Sequence, residues 1–98
     1  MKDLSHSDCP ITRVASLLSD TWTMLIMHAL TTGPKRFCEI EAELEGISTR
    51  TLTLKLQKLA VEELLEKNDA GAYQATKKGA GLKMIEKAML KYSETYLV

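Results

Sequence analysis

The sequence has little of what builds disulfide scaffolds, aromatic cores and membrane spans. Its 98 residues include two cysteines, two prolines, one tryptophan and one phenylalanine. Two cysteines cannot form the set of bridges that holds small secreted domains together, which suits a reducing cytoplasm. No secretory leader is recognised, and the longest apolar run, near 24–30, is broken by His28 and is too short to span a bilayer. We therefore expect a cytoplasmic protein with no membrane partner.

The chain also lacks the side-chain sets on which enzymes depend. It has no glycine-rich phosphate loop, no Ser-His-Asp set and no paired carboxylates in an apolar setting. His28 falls within an apolar helix and is interpreted as a hydrogen-bonded core or interface residue. His6, Asp8 and Cys9 are neighbours on one arm without a fourth ligand, which makes a poor zinc site. We expect no catalysis, no metal and no cofactor.

Charge is balanced overall but unevenly distributed. Thirteen basic and thirteen acidic residues give a net charge of zero, so composition alone does not favour nucleic acid. Residues 47–61 nevertheless contain three basic side chains and no acidic one, and residues 76–91 contain five lysines against one glutamate. Ordinary solvated helix faces would produce the same pattern. The charges need a structural context before they indicate a partner.

The stretch from Lys35 to Leu64 predicts two helices joined by a tight turn. The first, over 37–44, ends before Gly46, the residue best suited to a left-handed helix stop. Ser48 is a good N-cap for the second helix. Apolar residues then recur on one stripe of that helix, at Leu52, Leu56 and Leu59, and a polar and basic set points the other way, formed by Arg50, Thr51, Leu54, Gln57 and Lys58. This is the helix-turn-helix pattern, whose second helix can enter a DNA major groove.

The other segments are predicted to support this helical pair. Residues 1–8 form a flexible arm, Cys9-Pro10 opens an N-terminal helix, and 21–30 forms a helix buried nearly all round. Residues 64–75 have the composition of a β-hairpin, and Thr76 can cap a C-terminal helix over 77–96. With the helix-turn-helix at 37–62, the prediction for 1–98 is one winged-helix domain, mostly α with a small β-hairpin.

The C-terminal helix carries more apolar residues than so small a domain can bury alone. We expect it to form a dimer interface together with the N-terminal helix, through Leu17, Leu82, Ile85, Met89, Tyr92 and Tyr96. The alternative is that the helix folds back on its own core.

Several short motifs resemble those of the HxlR-type bacterial transcriptional regulators, which are relatives of the MarR-like winged-helix proteins. They are Cys9-Pro10, Trp22, Gly33-Pro34-Lys35-Arg36-Phe37, Gly46-Ile47-Ser48, the run Thr51-Leu52-Thr53 with Leu56 and Leu59, and Tyr73-Gln74-Ala75-Thr76 with Gly79. Four departures stand out. Glu63 replaces a usual glycine, the hairpin is short and lacks the family's arginine and prolines, Leu54 replaces a polar residue, and Ala75 replaces a larger apolar residue. Leu54 could contact a thymine methyl or lie on protein.

The resemblance implies a homodimer that binds double-stranded DNA at an inverted-repeat operator and regulates transcription. Ser48 to Lys58 would lie in a major groove, with Arg50 contacting a base and Lys35, Arg36 and Lys58 holding phosphates. The predicted contact residues are Lys35, Arg36, Ser48, Thr49, Arg50, Thr51, Thr53, Leu54 and Lys58. The alternative is a winged-helix module that binds protein without specific DNA binding.

Cys9 is the candidate for redox or electrophile sensing, although the sequence names no effector. A thiol at a helix N-terminus has its thiolate stabilised by the helix dipole. Some regulators that the chain resembles sense oxidants, quinones or aldehydes through a cysteine at this position. The alternative is a capping or packing residue that senses nothing. Cys38, which follows Phe37, is interpreted as structural.

Overall fold

The computed structural model describes residues 8–98, so His6 and most of the arm predicted over 1–8 lie outside the described residues. The described elements run in the order α1, α2, α3, α4, β1, β2, α5, α6, with one turn of 3-10 helix after α2 at Leu30–Thr32. Their bounds are Pro10–Leu18 for α1, Thr21–Ala29 for α2, Phe37–Glu43 for α3, Thr49–Val61 for α4, Leu65–Lys67 for β1, Tyr73–Ala75 for β2, Lys77–Ala80 for α5 and Lys83–Tyr96 for α6. The fold is mostly helical with a small antiparallel hairpin, as the sequence predicted.

Short polar side chains begin three of the helices. The Asp20 carboxylate accepts from the Trp22 N–H at 3.0 Å, the Ser48 hydroxyl oxygen from the Thr51 N–H at 3.0 Å, and the Thr76 hydroxyl oxygen from the Gly79 N–H at 3.1 Å. Each bond satisfies a backbone donor that has no partner inside its helix. Gly46 follows α3 with a φ of 94°, the left-handed conformation that stops a helix. The corner and the start of α4 therefore lie where the sequence predicts them.

A single apolar core lies among α2, α3, α4 and the hairpin. Its centre is fully buried and consists of Ile26, Ile40, Leu52, Leu56, Leu59, Leu64 and Leu65. The predicted stripe of α4 supplies three of these leucines, at i, i+4 and i+7. Burying this stripe fixes the rotation of α4, so its opposite face must point away from the core.

The hairpin is tied to the segment before α3 as well as to itself. Leu65 lies opposite Ala75 in the antiparallel register, and the backbones of Lys35 and Tyr73 exchange hydrogen bonds of 2.9 and 2.7 Å. Two strands alone are marginal in water, and this third partner adds support. At the tip, Asn68 Oδ1 accepts from the N–H groups of Ala70 and Ala72, both at 3.0 Å, and Gly71 has a φ of 82°. The tip is thus a stable turn held by its own side chain.

The structure divides the C-terminal helix predicted over 77–96 into two helices. Gly79 lies so close to the hairpin that an added Cβ would be 1.9 Å from the Leu64 carbonyl oxygen. Only glycine permits this approach, and Gly81, which weakens helix propensity, caps α5 two residues before α6 begins. The two glycines therefore account for the break in the predicted helix.

Two burial predictions are corrected. Helix α2 is not buried all round, because Leu25 and His28 are exposed, and His28 is an exposed rather than a core residue. Leu82, assigned from sequence to the dimer interface, is only 6% exposed and packs in the core of its own chain. It therefore has almost no surface to offer a second subunit.

In contrast to these elements, α1 and α6 contain no buried residue. Among the helices described, none is long and apolar enough to cross a membrane.

Candidate nucleic-acid interface

The outer face of α4 is exposed and carries most of the predicted DNA contacts. Thr49, Arg50, Thr53, Leu54 and Lys58 are all exposed, whereas Thr51 is half-buried. Burial of the leucine stripe on the other side holds this face outward. The structure therefore brings the residues predicted on α4 onto one side of a single helix. They start at the Ser48 cap, and Lys58 lies in the last turn.

The hydroxyl groups on this face are engaged by the protein. Thr49 donates to the Glu41 carboxylate at 2.6 Å, and Thr53 donates to the Thr49 carbonyl oxygen at 2.9 Å. The Ser48 hydroxyl lies 2.8 Å from that of Thr51. Glu41 belongs to α3, so its bond with Thr49 joins the first helix of the pair to the start of the second. Glu41 is one of several alternating glutamates on α3, so the sequence pattern does not distinguish it from its neighbours.

Two cations on this face remain available, whereas a third is engaged. Within residues 8–98, Arg50 and Lys58 form no ion pair, and both are exposed. Lys55 instead forms a salt bridge with Asp20, the cap of α2. Arginine and lysine without internal partners are the groups that contact bases and phosphates. Of the three basic residues of α4, Arg50 and Lys58 are therefore the candidates for DNA contacts.

The Asp20–Lys55 pair links α2 to α4. Partial burial of Asp20 by itself would raise its carboxyl pKa. The hydrogen bond and charge of Lys55, together with the N–H groups of Trp22 and Thr23, outweigh burial, so the pKa lies below its ordinary value. Asp20 is therefore charged at neutral pH, and its carboxylate contributes to holding α4 against α2.

Lys35 is corrected from a phosphate contact to an internal residue. Its ammonium donates to the Ala29 carbonyl oxygen and the Thr32 hydroxyl, both at 2.5 Å, and lies 3.7 Å from the Glu43 carboxylate. The side chain is only 18% exposed. Carbonyl groups at the end of α2 attract a cation, and this explains the position of the ammonium. Lys35 therefore holds the segment before α3 in place.

Arg36, by contrast, is exposed and has no ion pair within the described residues. Its guanidinium lies beside the hairpin tip, since an added Cβ on Gly71 would be 3.8 Å from Arg36 Nη1. The hairpin itself contributes Lys67, whose ammonium lies 5.5 Å from the centre of the Tyr73 ring. These two cations lie at the hairpin together with the exposed acids Glu66 and Asp69, so the hairpin surface carries both signs of charge.

Leu54 is 54% exposed, so its own chain does not cover it. The sequence allowed Leu54 either to lie on protein or to be free to contact a thymine methyl, and in this chain the side chain is exposed. The side chain lies on the outer face of α4, one turn beyond Arg50.

The comparisons with known proteins agree with this geometry. Residues 17–98 match the family model described as HxlR-like helix-turn-helix. The chain belongs to this family. Its members are helix-turn-helix transcriptional regulators, so the chain is one as well. This confirms the resemblance found in the sequence.

Two regulators illustrate the relationship. The HTH-type transcriptional regulator YodB of Bacillus subtilis is 31% identical over 100 residues, which cover 95% of this chain and 89% of YodB. An uncharacterized HTH-type regulator of Synechocystis, sll1512, is 35% identical over 60 residues. That match covers 61% of this chain and spans only 44% of the length of the cyanobacterial protein.

The solved structures of YodB share the fold. Quinone-bound YodB superposes with a TM-score of 0.82 at 34% identity, covering 90% of this chain and 99% of YodB. The reduced form gives a TM-score of 0.77 at 33% identity, with coverage of 90% and 93%. Both forms of this HxlR-like relative therefore have the winged-helix architecture described above.

Both cysteines of this HxlR-like chain are exposed, and no disulfide joins them in the described part of the chain. Exposure of Cys38 corrects its interpretation as a structural residue. The Thr12 hydroxyl, followed by the N–H groups of Thr12 and Ile11, stabilises the thiolate of Cys9 and lowers its pKa, against a small opposing effect of burial. The position of Cys9 at a helix N-terminus predicts a lowered thiol pKa, but the sequence does not show that the Thr12 hydroxyl is its main cause.

An open apolar groove of about 450 Å³ separates α2 from α6. His28 Nδ1 and Glu86 Oε1 lie 2.5 Å apart in it, so His28 is hydrogen-bonded as expected although it is not buried. Apolar side chains form the rest of the groove, namely Met24, Leu25, Met89, Leu90, Tyr92 and Leu97. Met89 and Tyr92 belong to the predicted dimer interface, and the groove extends that surface to α2.

Proposed function

We propose that the chain acts in the cytoplasm as a homodimeric regulator that binds double-stranded DNA at an inverted-repeat operator. The observation that carries this proposal is the outer face of α4, which exposes Arg50 and Lys58 without ion pairs in the described chain. Membership in the HxlR-like family supports it. Each subunit inserts one α4 into a major groove, because α4 is the second helix of the helix-turn-helix and its exposed face carries cations without ion pairs in the described chain.

Exposed apolar surface on α1 and α6 supports the homodimer. Ile11 on α1 is 77% exposed, and Met89 and Tyr92 on α6 are 50% and 59% exposed. On α6, Met89 and Tyr92 also line the open apolar groove, and an exposed apolar patch of this kind marks an interaction site. A two-fold dimer through these helices presents two copies of α4, which matches the symmetry of an inverted repeat.

The cations divide into two roles. Arg50 lies in the first turn of α4, where side chains are closest to base edges, and its guanidinium can donate two hydrogen bonds to a guanine. Arg36 and Lys58 hold phosphates on either side of it, and Leu54 contacts a thymine methyl. The hairpin contributes Lys67 to the backbone contacts.

The test compares Arg50→Ala with Lys58→Ala at several salt concentrations. Arg50→Ala is expected to weaken binding to the selected operator by about 1–3 kcal/mol and to relax preference at one base pair. Lys58→Ala should weaken binding to all sequences alike and reduce the salt slope by about one. Equal losses on operator and random DNA for Arg50→Ala would contradict its role. Affinity that hardly responds to salt would instead favour the protein-binding alternative.

We also propose that Cys9 makes DNA binding sensitive to oxidants or electrophiles. YodB has been solved in quinone-bound, reduced and diamide-treated forms. In this chain the exposed thiol lies at the start of α1 and has a lowered pKa. Modification there can tilt one subunit against the other, and both copies of α4 must match half-sites about one DNA turn apart. The modified dimer should therefore release its operator.

A further inference from the structure

The hydroxyl protons on the outer face of α4 point into the protein. Thr49 donates to Glu41 Oε2 at 2.6 Å, and Thr53 donates to the Thr49 carbonyl oxygen at 2.9 Å. An ionised carboxylate and a carbonyl oxygen can only accept hydrogen bonds, so the direction of both bonds is fixed. Each hydroxyl has one proton, and both protons are therefore used inside the protein.

What remains on these hydroxyls is acceptor capacity. A hydroxyl oxygen carries two lone pairs in addition to its proton, and Thr49 and Thr53 are both exposed. Phosphate oxygens and the carbonyl groups of guanine and thymine also only accept, so these threonines have nothing to donate to them. The exocyclic amino groups of adenine and cytosine are the donors that the major groove presents.

We infer that Thr49, supported by Thr53, selects a base pair by accepting a hydrogen bond from the amino group of adenine or cytosine. This inference rests on the proposed function, since it assumes that α4 lies in the major groove. Glu41 does not touch the base. It is a positioning residue that holds the Thr49 proton away from the DNA and so leaves the lone pairs to face it.

Arg50 has the opposite hydrogen-bonding role to the one we infer for Thr49. Its guanidinium can only donate hydrogen bonds. Arg50 lies between Thr49 and Thr53 in the sequence, and all three residues are exposed on α4. One turn of α4 thus presents a donor and an acceptor at neighbouring positions. A half-site in which a guanine stands next to an adenine or a cytosine on the contacted strand satisfies both.

The presence of Glu41 is otherwise unfavourable for binding. A half-buried carboxylate beside the DNA-binding helix repels phosphates, and it would lower affinity for every sequence alike. The bond to Thr49 gives that carboxylate a role in specificity. Affinity for random DNA and preference at one base pair should therefore respond differently when Glu41 is changed.

The experiment selects an operator from a random duplex library with the full chain and then measures affinity for every single-base-pair change in one half-site. The wild-type protein is expected to prefer adenine or cytosine over guanine and thymine at one position by about fivefold, the value of one hydrogen bond. Thr49→Val should abolish that preference, and Thr49→Ser should keep it.

Glu41→Ala is the decisive variant, and Glu45→Ala is its control. Glu45 is an exposed acid that follows α3 and has no hydrogen bond or ion pair in the described chain. Both variants should bind random DNA at least as well as wild type, because each removes one negative charge. Only Glu41→Ala should reduce the preference at the Thr49 position below twofold, because the freed hydroxyl can turn and donate.

Three outcomes overturn the inference while leaving the proposed function in place. They are a preference for guanine or thymine that depends on Thr49, an unchanged preference in Thr49→Val, and an unchanged preference in Glu41→Ala. In each of these, preference at the base pair contacted by Arg50 persists. Wild-type protein that selects no operator at all overturns the proposed function and this inference together.

Discussion

The central part of the molecule and its two terminal helices use apolar residues in opposite ways. The packed unit, residues 21–82, contains the helix-turn-helix and hairpin and buries Ile26, Leu52 and Leu64 almost completely. The terminal helices, α1 and α6, contain no buried residue, and Ile11 and Tyr96 are 77% and 70% exposed. Apolar residues at helical spacing occur in both regions, but the packed unit buries most of its own, whereas α1 and α6 bury only part of Leu17 and Ile85 against the core.

The difference separates the elements that one chain stabilises by its own packing from the helices whose apolar faces lack a partner within the described chain. A short helix in water is marginal unless one face packs against something. The α4 stripe packs on α2 and the hairpin, whereas α6 packs on the core through Ile85, bonds α2 through the Glu86–His28 pair, and leaves Met89 and Tyr92 exposed. The exposed face of α4 is therefore built by a single subunit, and in the dimer that we propose its duplication depends on the terminal helices.

The comparison predicts its largest effect at Gly79, in the packed unit. Gly79→Ala would place a Cβ 1.9 Å from the Leu64 carbonyl oxygen and 2.8 Å from Met27 Cε, so α5 must move away from the hairpin. We expect a loss of about 3 kcal/mol in the free energy of unfolding, the upper range for overpacking. Urea denaturation measures it. Gly81→Ala is the control, because its nearest neighbour is a carbonyl oxygen 3.3 Å away, and a loss as large in that variant would contradict the packing argument.

The second prediction concerns the terminal helices. Met89→Glu places a charge on the groove side of α6, where a dimer would bury it without a partner, so the dimer should dissociate at least tenfold more readily. The packed unit should remain folded, because Met89 is 50% exposed in the single chain. Analytical ultracentrifugation and circular dichroism measure the two properties.

Lys87→Glu is the matched control for this interface. Lys87 is two residues before Met89, about 200° around the helix, and therefore lies on the opposite side of α6. Although it changes the charge by two, it should leave the sedimentation of the dimer unchanged. If Met89→Glu sediments like wild type, α6 does not form the interface.

The third prediction concerns backbone strain at Glu63, within the packed unit. Glu63 stands where a glycine is usual in the family that the sequence resembles, and its φ of 61° is left-handed. This conformation costs a residue with a Cβ about 1 kcal/mol, so Glu63→Gly should raise the free energy of unfolding by up to that amount. Glu62→Gly should lower it instead, because Glu62 has a φ of −79°. Urea denaturation measures both variants. If both substitutions stabilise the protein, relief of backbone strain does not explain the effect of Glu63→Gly.

Local patterns predicted most of the packed unit. The period of Leu52, Leu56 and Leu59 determines which side of α4 is buried, and Gly46 and Ser48 determine where its neighbours end and begin, so the sequence alone located the exposed face. The same patterns do not predict which basic side chains form hydrogen bonds or ion pairs within the protein. Lys35 and Lys55 are basic in the sequence like Arg50, but the end of α2 binds the ammonium of Lys35, and Asp20, 35 residues away, binds that of Lys55. The spacing of apolar residues does not show either contact.

The same limit explains the errors at the ends of the chain. Leu82 shares the helical spacing of Met89 and Tyr92, and spacing cannot show that the glycines before it bring it into the core. His28 lies in an apolar run and was expected to be buried, but α2 exposes one side because α6 does not close over it.

The smallest predicted effect lies at the start of α1. The Thr12 hydroxyl is the main cause of the lowered pKa of Cys9, so Thr12→Val should raise that pKa toward its ordinary value. The thiolate is the reactive form, and a lowered pKa increases its fraction at neutral pH. Alkylation of Cys9 by iodoacetamide at pH 7 should therefore be severalfold slower in Thr12→Val and unchanged in Thr12→Ser. Above both pKa values, where every Cys9 thiol is ionised, the rates should converge.

Cys38 serves as an internal reference in the same measurement, because it is also exposed and its peptide can be followed separately by mass spectrometry. Its rate should not respond to Thr12→Val, since Thr12 lies on α1 and Cys38 on α3. The link to function follows from the same variants. Cys9→Ser should bind the operator and ignore quinone or peroxide, whereas Cys38→Ser should still release DNA. Release that survives in Cys9→Ser and disappears in Cys38→Ser would assign the sensor to the other thiol, and indifference of the wild type to both reagents would leave Cys9 only as the residue that begins α1.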